Sequence, residues 1–217
     1  MTTEFETTGR LWLRKAVDAD MLVRLRDLAD TDRRPGARVA RGDALFGTVQ
    51  NLPVSRQITR LFPGMVAVRM LSFNKSVDAN WSVPWHQDRV IAVDRKTDLD
   101  GFSNWSHKGG TWHCEPPVDI LRDMLFVRLH LDPQTIQNGA MEIALCSHRF
   151  GVVSTEQAAE LASGCQTECA IADPGDVLIL NMLTLHRSRS ASNPSSRAAL
   201  RIDFASAGLP VPLNWAV

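Results

Sequence analysis

From residue 65 onward the sequence consists of short apolar runs separated by turn signals, and this pattern constrains the fold more than any other feature. Apolar runs of roughly four to eight residues, bounded by Gly, Pro, Asn or Asp, are typical of β-strands. The runs predict strands over residues 65–73, 83–93, 124–131, 140–145, 166–171, 177–186 and 198–205. Many short strands joined by regular turns favour a sandwich or a barrel.

Three turn signals separate the later strands. Asn138-Gly139 and Asp173-Pro174-Gly175-Asp176 contain residues that suit the backbone conformations of tight turns, and Ser192-Asn193-Pro194-Ser195 is a further example. We expect the chain to turn at each of them.

The first part of the chain is predicted to be helical. Apolar residues recur at helical spacing over 17–28, with Asp18 as the N-cap, and a second helix is predicted over 52–61. The polar segment 31–47 is expected to be a loop, and a later helix is predicted from a capping box at Ser154. A chain of 217 residues suits one domain, with a helical part at about 11–62 packed outside a β-structure at about 65–206.

Charge and apolar content argue against several kinds of partner. Lys+Arg and Asp+Glu both number 24, whereas nucleic-acid and membrane-surface binders carry a basic excess. The longest apolar stretch, 177–185, is too short to cross a bilayer. Residues 1–10 do not resemble a signal peptide, and the four cysteines are expected to be reduced. We therefore expect a cytoplasmic protein that binds neither nucleic acid nor membranes, as a monomer or a homodimer.

The most distinctive local motif is Trp85-His86-Gln87-Asp88. Side chains alternate along a strand, so His86 and Asp88 are predicted to project to one face and Gln87 to the other. An imidazole and a carboxylate side by side are two thirds of a 2-His-1-carboxylate metal site. Taken alone, the motif favours an ordinary half-exposed strand, because H-x-D is common by chance.

A second group of polar residues follows about a hundred positions later. His186 ends the predicted strand 177–186, with Ser188 two residues on and Arg197 eleven residues on. If the chain reverses at Asn193-Pro194, Ser190 lies opposite Arg197, and the period of two places both on the face of His186. Arginine grips a carboxylate with two parallel hydrogen bonds, and Ser188 offers a further donor.

These two groups together provide three metal ligands and a carboxylate clamp. An Fe(II) enzyme that uses 2-oxoglutarate needs this arrangement: the C1 carboxylate and keto oxygen of the cosubstrate chelate iron, while the C5 carboxylate meets Arg197. Without its spacing relative to the three candidate ligands, Arg197 would be interpreted as one of many surface arginines.

Four motifs resemble the phytanoyl-CoA dioxygenase-like branch of the Fe(II)/2-oxoglutarate oxygenases: W-H-Q-D at 85–88, N-G-A-M-E-I-A-L-C-S-H-R at 138–149, D-P-G-D-V at 173–177 and H-R-S…R at 186–197. The resemblance implies a mainly β fold, the double-stranded β-helix of jelly-roll or cupin-like type. It also implies residue roles. The catalytic iron ligands are His86, Asp88 and His186, and the residues for 2-oxoglutarate are Arg197, Ser188 and Lys75.

The reaction that the resemblance implies is hydroxylation of a small molecule by Fe(II), 2-oxoglutarate and O₂, with release of succinate and CO₂. Related halogenases have a small residue where this chain has Asp88, which leaves a metal position for halide. Because a carboxylate occupies that position here, we expect oxygen transfer.

Substrate residues are predicted around the segment 94–117, which has little periodicity and is expected to be a long loop that closes over the substrate. Trp105 and Trp112 lie in this loop, and Trp81 is expected in the core. Arg89, Trp105 and His113, with Lys108 nearby, suggest a pocket for a small anionic metabolite. His130 is expected to be a satisfied polar group of the barrel interior.

Two other functions fit the same residues. One is a jelly-roll protein that binds a metal or a metabolite without turnover. The other is a zinc hydrolase with the same three ligands, although no general base is evident near His86 and Arg197 would have no use in it.

Overall fold

The computed structural model describes residues 3–29, 36–75, 80–193, 197–206 and 208–216, with Lys75 described by its backbone alone. The Lys75 side chain and most of the turn predicted at 192–195 therefore lie outside the described residues.

The protein is mainly β, as predicted, and its described strands all pair antiparallel. The strands are β1 (Arg10–Leu13), β2 (Gly36–Val39), β3 (Met65–Lys75), β4 (Val83–His86), β5 (Ile91–Val93), β6 (Ser103–Lys108), β7 (Thr111–Glu115), β8 (Leu125–His130), β9 (Met141–Ala144), β10 (Thr167–Cys169), β11 (Val177–Asn181), β12 (His186–Ser188) and β13 (Arg197–Ser206). The helices are α1 (Thr3–Thr8), α2 (Ala19–Ala29), α3 (Ala44–Gln50), α4 (Pro53–Leu61), α5 (Val118–Arg122) and α6 (Thr155–Ser163), with a short 3₁₀ helix at Ser147–Phe150.

Two sheets form the jelly-roll. The major sheet has the strand order β1-β11-β8-β13-β3-β2, and the minor sheet has the order β10-β9-β12-β4. A third sheet, β5-β7-β6, extends from the strand that follows the W-H-Q-D motif. Apolar residues of the major sheet, the minor sheet and the third sheet share one buried cluster, so the core lies between the sheets.

The helices α2, α3 and α4 pack on one face of the major sheet. Leu25, Phe46 and Ile58 from these helices share a buried cluster with Leu200 and Ile202 of β13. These two β13 residues alternate with Arg197, Arg201 and Asp203, as the period of two along a strand requires. One face of β13 thus contacts helices, and the other presents charged groups to the interior between the sheets.

Local sequence signals explain where the helices begin. The Asp18 carboxylate accepts a hydrogen bond from the Met21 N–H, and the Ser154 hydroxyl accepts one from the Gln157 N–H, so both predicted N-caps are confirmed. The helix predicted over 52–61 is confirmed as α4. Among the described residues, no helix has the length and hydropathy to cross a membrane.

Five predictions of local structure are wrong. The runs 83–93 and 177–186 are not single strands, because each is divided between two sheets, as β4 and β5 and as β11 and β12. The part at about 11–62 is not purely helical, because β1 and β2 form the two edges of the major sheet, and α3 begins within the segment predicted as a loop at 31–47. The segment 94–117 is not a structureless loop, because β6 and β7 pair within it. The two strands of this hairpin consist largely of polar and aromatic residues, so they contain no apolar run of the kind that predicts a strand.

Candidate metal centre

His86 and His186 lie directly opposite each other on the neighbouring antiparallel strands β4 and β12. β4 ends at His86 and β12 begins at His186. Opposite residues of an antiparallel pair present their side chains to the same face of the sheet. The centroids of the two imidazole rings are 4.4 Å apart. The register of the minor sheet therefore brings together two histidines that are far apart in the sequence.

The hydrogen bonds of the two rings determine which nitrogen faces the site. Nδ1 of His86 donates to the Pro84 carbonyl oxygen at 2.8 Å, and Nδ1 of His186 donates to the Thr184 carbonyl oxygen at 2.9 Å. Because a carbonyl oxygen only accepts, each Nδ1 carries a proton and each Nε2 has its lone pair free when the ring is neutral. Burial, assisted by the neighbouring His186, lowers the pKa of His86 and favours its neutral ring.

Asp88 completes the cluster. The ligand atoms of His86, Asp88 and His186 all lie within 4.8 Å of one another, and Oδ2 of Asp88 is 3.2 Å from Nε2 of His186. Oδ2 is buried, and none of the described residues directs a well-aligned hydrogen bond to it. Two imidazole nitrogens and a carboxylate oxygen are the donor set of the facial triad that binds non-haem Fe(II).

Gln87 fixes the backbone between the first two ligands. Its Nε2 donates to the carbonyl oxygens of Gly151 and Leu183 at 2.8 and 2.7 Å, and its Oε1 accepts from the Val153 N–H at 2.8 Å. The side chain is buried and points away from the ligands, as the alternation predicts. The prediction assumed that a regular strand continues through Gln87. The strand instead ends at His86, and these three hydrogen bonds determine the direction of the Gln87 side chain.

Arg201 keeps Asp88 ionised. Its Nη1 lies 2.8 Å from Oδ2 of Asp88, and its Nε donates to Oδ1 of Asp203 at 2.7 Å. Nε of Arg69 lies 2.7 Å from Oδ2 of Asp203 on the other side. Burial raises the pKa of Asp88, but Arg201 and then His186 outweigh burial and hold that pKa well below its usual value. The two arginines and two aspartates form a charge-balanced buried network.

The three ligands line a pocket of about 210 Å³ that also contains Arg197 and Ser188. The sequence predicts that Arg197 reaches this place through a hairpin with Ser190, and that prediction is wrong. β12 belongs to the minor sheet and β13 to the major sheet, so Arg197 lies opposite Lys75 of β3. The chain crosses between the sheets here, and Arg197 meets His186 because the two sheets face each other.

Arg197 is buried and has no counter-ion among the residues that the structure describes. Its exposed fraction is 4%, and neither an acidic side chain nor a hydrogen-bond acceptor for Nε is found among the described residues. Burial lowers its pKa. A guanidinium in this state costs free energy unless an anion pairs with it. A carboxylate would satisfy it, because a guanidinium binds a carboxylate through two parallel hydrogen bonds.

Gly139 allows the loop after β8 to approach Arg197. Its φ of +78° lies in the left-handed region that favours glycine, and a Cβ here would lie 2.6 Å from the Arg189 carbonyl oxygen and 3.3 Å from Nη1 of Arg197. Asn138 fixes the same loop, because its side chain accepts from the Thr135 N–H and donates to the Pro133 carbonyl oxygen. The Asn138-Gly139 motif thus places the loop backbone against Arg197.

Arg128 is a pocket residue that was not predicted. It lies on β8 directly opposite Arg201 of β13 and lines the pocket with the three ligands. Burial, then the charges of Arg197 and Arg201, lower the pKa of Arg128 to about 9. The signal was present in the sequence, since Phe126, Arg128 and His130 alternate along one predicted strand.

His130 is buried on the same face of β8, but it is not satisfied as predicted. Its exposed fraction is 1%, and both ring nitrogens lack a hydrogen-bond partner among the described residues. The ring stacks on Trp12 with centroids 5.8 Å apart. Burial and the nearby arginine charges, Arg128 first, hold the pKa of His130 well below its usual value.

The residues predicted to contact substrate lie outside the lining of this pocket. Nε of Arg89 is 3.2 Å from a carboxylate oxygen of Glu115, and His113 contacts Arg38. Trp105 packs on the apolar cluster between the sheets. Trp81, which the sequence places in the core, is 39% exposed and lines the pocket. Substrate contact by Arg89, Trp105 and His113 stays a prediction.

The same fold occurs in several solved structures of non-haem oxygenase enzymes. "Non-heme alpha ketoglutarate dependent carbocyclase SnoK from nogalamycin biosynthesis" is 14% identical, with a TM-score of 0.67 over 94% of this chain and 82% of that chain. HygX from Streptomyces hygroscopicus, solved "with nickel, 2-oxoglutarate, and hygromycin B bound", is 16% identical, with a TM-score of 0.63 over 94% and 87%. The non-heme monooxygenase ThoJ is 15% identical, with a TM-score of 0.69 over 99% and 78%.

The sequence itself defines the family. The model of the phytanoyl-CoA dioxygenase (PhyH) family matches residues 5–199, so the chain belongs to that family, as the motifs predict. This match spans both sheets, the three clustered ligands and Arg197. No protein with a curated description matches the chain.

Proposed function

We propose that this protein is an Fe(II)- and 2-oxoglutarate-dependent dioxygenase that hydroxylates a small-molecule metabolite. The observation that carries the proposal is the joint placement, in one pocket, of three candidate ligand atoms within 4.8 Å and a buried guanidinium that has no counter-ion among the described residues. A metal site alone serves many chemistries, but the second feature calls for an anion that binds beside the metal.

In this proposal His86, Asp88 and His186 hold the iron. Their state suits a divalent cation, since both Nδ1 protons are held by carbonyl oxygens and Asp88 is kept ionised. Bound with 2-oxoglutarate, the iron supplies activation of O₂, so that one oxygen atom enters a substrate C–H bond and the other enters succinate as CO₂ leaves.

Arg197 receives the distal carboxylate of 2-oxoglutarate in this proposal, and Ser188 adds a hydroxyl donor on the same wall. Lys75 is retained as a third candidate because its backbone pairs with Arg197. Phe73 and Phe126 give the same pocket aromatic walls.

The carbocyclase and monooxygenase among the structural relatives support an oxidative function without specifying its outcome. HygX holds nickel, 2-oxoglutarate and hygromycin B together, which supports a small-molecule substrate for this chain as well.

The test is release of succinate from 2-oxoglutarate by the Fe(II) protein in air, measured across a panel of metabolites. The proposal predicts a substrate-dependent increase in succinate together with a product heavier by one oxygen atom. Binding of 2-oxoglutarate with no succinate from any substrate would instead support the non-catalytic binding protein. Activity with Zn(II) in the absence of O₂ would support the hydrolase.

A further inference from the structure

Besides Arg197, the pocket contains a guanidinium that is unpaired among the described residues, that of Arg128, for which the proposed function gives no role. Arg128 projects from β8 into the lining shared by the three ligands and Arg197. Its Nε is shielded from solvent and has no hydrogen-bond partner, and neither a salt bridge nor another acceptor is found for the side chain among the described residues. The remaining surface of the residue is open to the pocket.

The other charged groups of the pocket are already paired. Arg201 contacts Asp88 and Asp203, Arg69 contacts Asp203, and Arg187 forms an ion pair with Glu142 at 2.7 Å. Arg128 and Arg197 are therefore the two pocket arginines without a carboxylate partner among the described residues. Both come from the major sheet, on the face that is opposite the histidines.

Charge counting shows what the pocket needs. The network of Asp88, Asp203, Arg69 and Arg201 is neutral as a whole. A divalent metal adds two positive charges, and Arg128 and Arg197 add one each. The two carboxylates of 2-oxoglutarate cancel half of these four charges. Two positive charges then remain around the pocket, and a further anion would offset them.

We infer that Arg128 binds an anionic group of the substrate, so that the substrates of this enzyme are small molecules with a carboxylate or a similar anion. This inference rests on the proposed function, because it assigns Arg197 to the cosubstrate. Arg128 thus replaces Arg89 and His113, which lie outside the pocket lining, as the residue that indicates an anionic substrate. The aromatic residues Phe73 and Phe126 beside Arg128 suit an apolar body attached to that anion.

A matched pair of probes tests this inference without turnover. The protein is loaded with Ni(II), saturated with 2-oxoglutarate, and titrated with 4-fluorobenzoate or its neutral amide, 4-fluorobenzamide. Broadening of the ligand ¹⁹F signal by the paramagnetic ion reports binding close to the metal. We expect at least about tenfold tighter binding of the carboxylate, because only the carboxylate can form a charge-assisted pair with Arg128.

Variants assign the preference to a residue. Arg128→Gln should reduce the carboxylate-to-amide ratio to near one while 2-oxoglutarate still binds, and Arg128→Lys should retain part of the ratio because it keeps a charge. Arg187→Gln is the control, because this pocket arginine is already paired with Glu142, and its ratio should equal that of the wild type.

Three results would overturn the inference. One is equal binding of the two probes by the wild-type protein, a result that needs no variant to fold. Another is a ratio in Arg128→Gln as large as in the wild type. The third is a loss of 2-oxoglutarate binding in Arg128→Gln as severe as in Arg197→Gln, which would assign Arg128 to the cosubstrate. Failure of the wild type to bind 2-oxoglutarate at all would contradict the proposed function itself.

Discussion

Nη1 of Arg201 lies 2.8 Å from Oδ2 of Asp88, so the carboxylate proposed to bind the metal already has a buried cationic partner. Arg201 also pairs with Asp203, and its side chain is only 7% exposed. One guanidinium thus compensates two carboxylates inside the barrel. In the metal-free protein this pairing permits an ionised ligand to remain inside the fold before the metal binds.

Replacing Arg201 with methionine should destabilise the metal-free protein by about 3–5 kcal/mol, because Asp88 loses its arginine partner and Asp203 keeps only Arg69. Urea unfolding measures this change. Arg122→Met is the control, since Arg122 pairs with Asp119 at the same 2.8 Å on the exposed surface, where an ion pair contributes at most about 1 kcal/mol. Ni(II) should also raise the melting temperature of Arg201→Met more than that of the wild type, because the cation replaces part of the lost charge. Equal losses in the two variants would contradict this account of the network.

Gln87 is predicted to control metal affinity without touching the metal. Gln87→Leu removes the three hydrogen bonds that hold the backbone between His86 and Asp88, and it should weaken Ni(II) binding about 10–100-fold in calorimetric titrations. Gln134→Leu is a control for the loss of a buried glutamine elsewhere, since Gln134 is 1% exposed and outside the pocket lining. If both variants bind Ni(II) like the wild type, Gln87 has only a role in stability.

Gly139→Ala should weaken 2-oxoglutarate binding. The added Cβ would have to displace the Arg189 carbonyl oxygen and press on Arg197, and the positive φ adds strain. We expect about a tenfold increase in the dissociation constant of 2-oxoglutarate with Ni(II) affinity unchanged, equivalent to about 1.4 kcal/mol. Gly164→Ala, at a helix end with an ordinary negative φ, should change neither constant. Unaltered 2-oxoglutarate affinity in Gly139→Ala would show that the loop yields without moving Arg197.

His130 should make stability depend on pH. Its pKa in the folded protein is held well below the ordinary value near 6.5, so below that pH the unfolded chain binds one more proton than the folded chain at this residue. The free energy of unfolding therefore falls as pH falls below about 6.5. His130→Phe removes this contribution. When the pH falls from 7.5 to 5.5, the free energy of unfolding of the wild type should therefore fall by roughly 1 kcal/mol more than that of the variant.

Denaturant unfolding at the two pH values measures the effect of His130. The control is His107→Phe, a substitution of the same kind at an exposed histidine whose ring also contacts a tryptophan, although at a tilt. A wild-type-minus-variant difference that is the same at both pH values for His130→Phe would contradict the argument.

Much of the site could be predicted because its signals are local. The spacing of His86 and Asp88 survives even though the strand ends between them, since Gln87 is anchored on the opposite side. The caps at Asp18 and Ser154 depend on hydrogen bonds within three residues, and both are confirmed. Such features require no knowledge of how distant segments meet.

The features of the site that could not be predicted from the sequence depend on which sheet each strand joins. The apolar stretch 177–186 reads as one strand, but it leaves the major sheet after Asn181 and enters the minor sheet at His186. Because of this crossing, Arg197 does not form the predicted hairpin with the segment after His186. Arg197 still lies in the same pocket as His186, because their two sheets face each other. Arg128 was missed for a related reason, because only the pairing of β8 with β13 shows that its face is the one that carries Arg197 and Arg201.

The most direct test of the central claim is anaerobic titration of the Fe(II) protein with 2-oxoglutarate, followed by the visible absorption of the iron–cosubstrate chelate. We expect a saturable band in the wild type, no band in His186→Ala or Asp88→Asn, and a dissociation constant at least about tenfold larger in Arg197→Gln than in Arg187→Gln. A wild-type protein that takes up Fe(II) but gives no band, or a band that survives in Asp88→Asn with unchanged affinity, would contradict the claim that these residues form one metal and cosubstrate site.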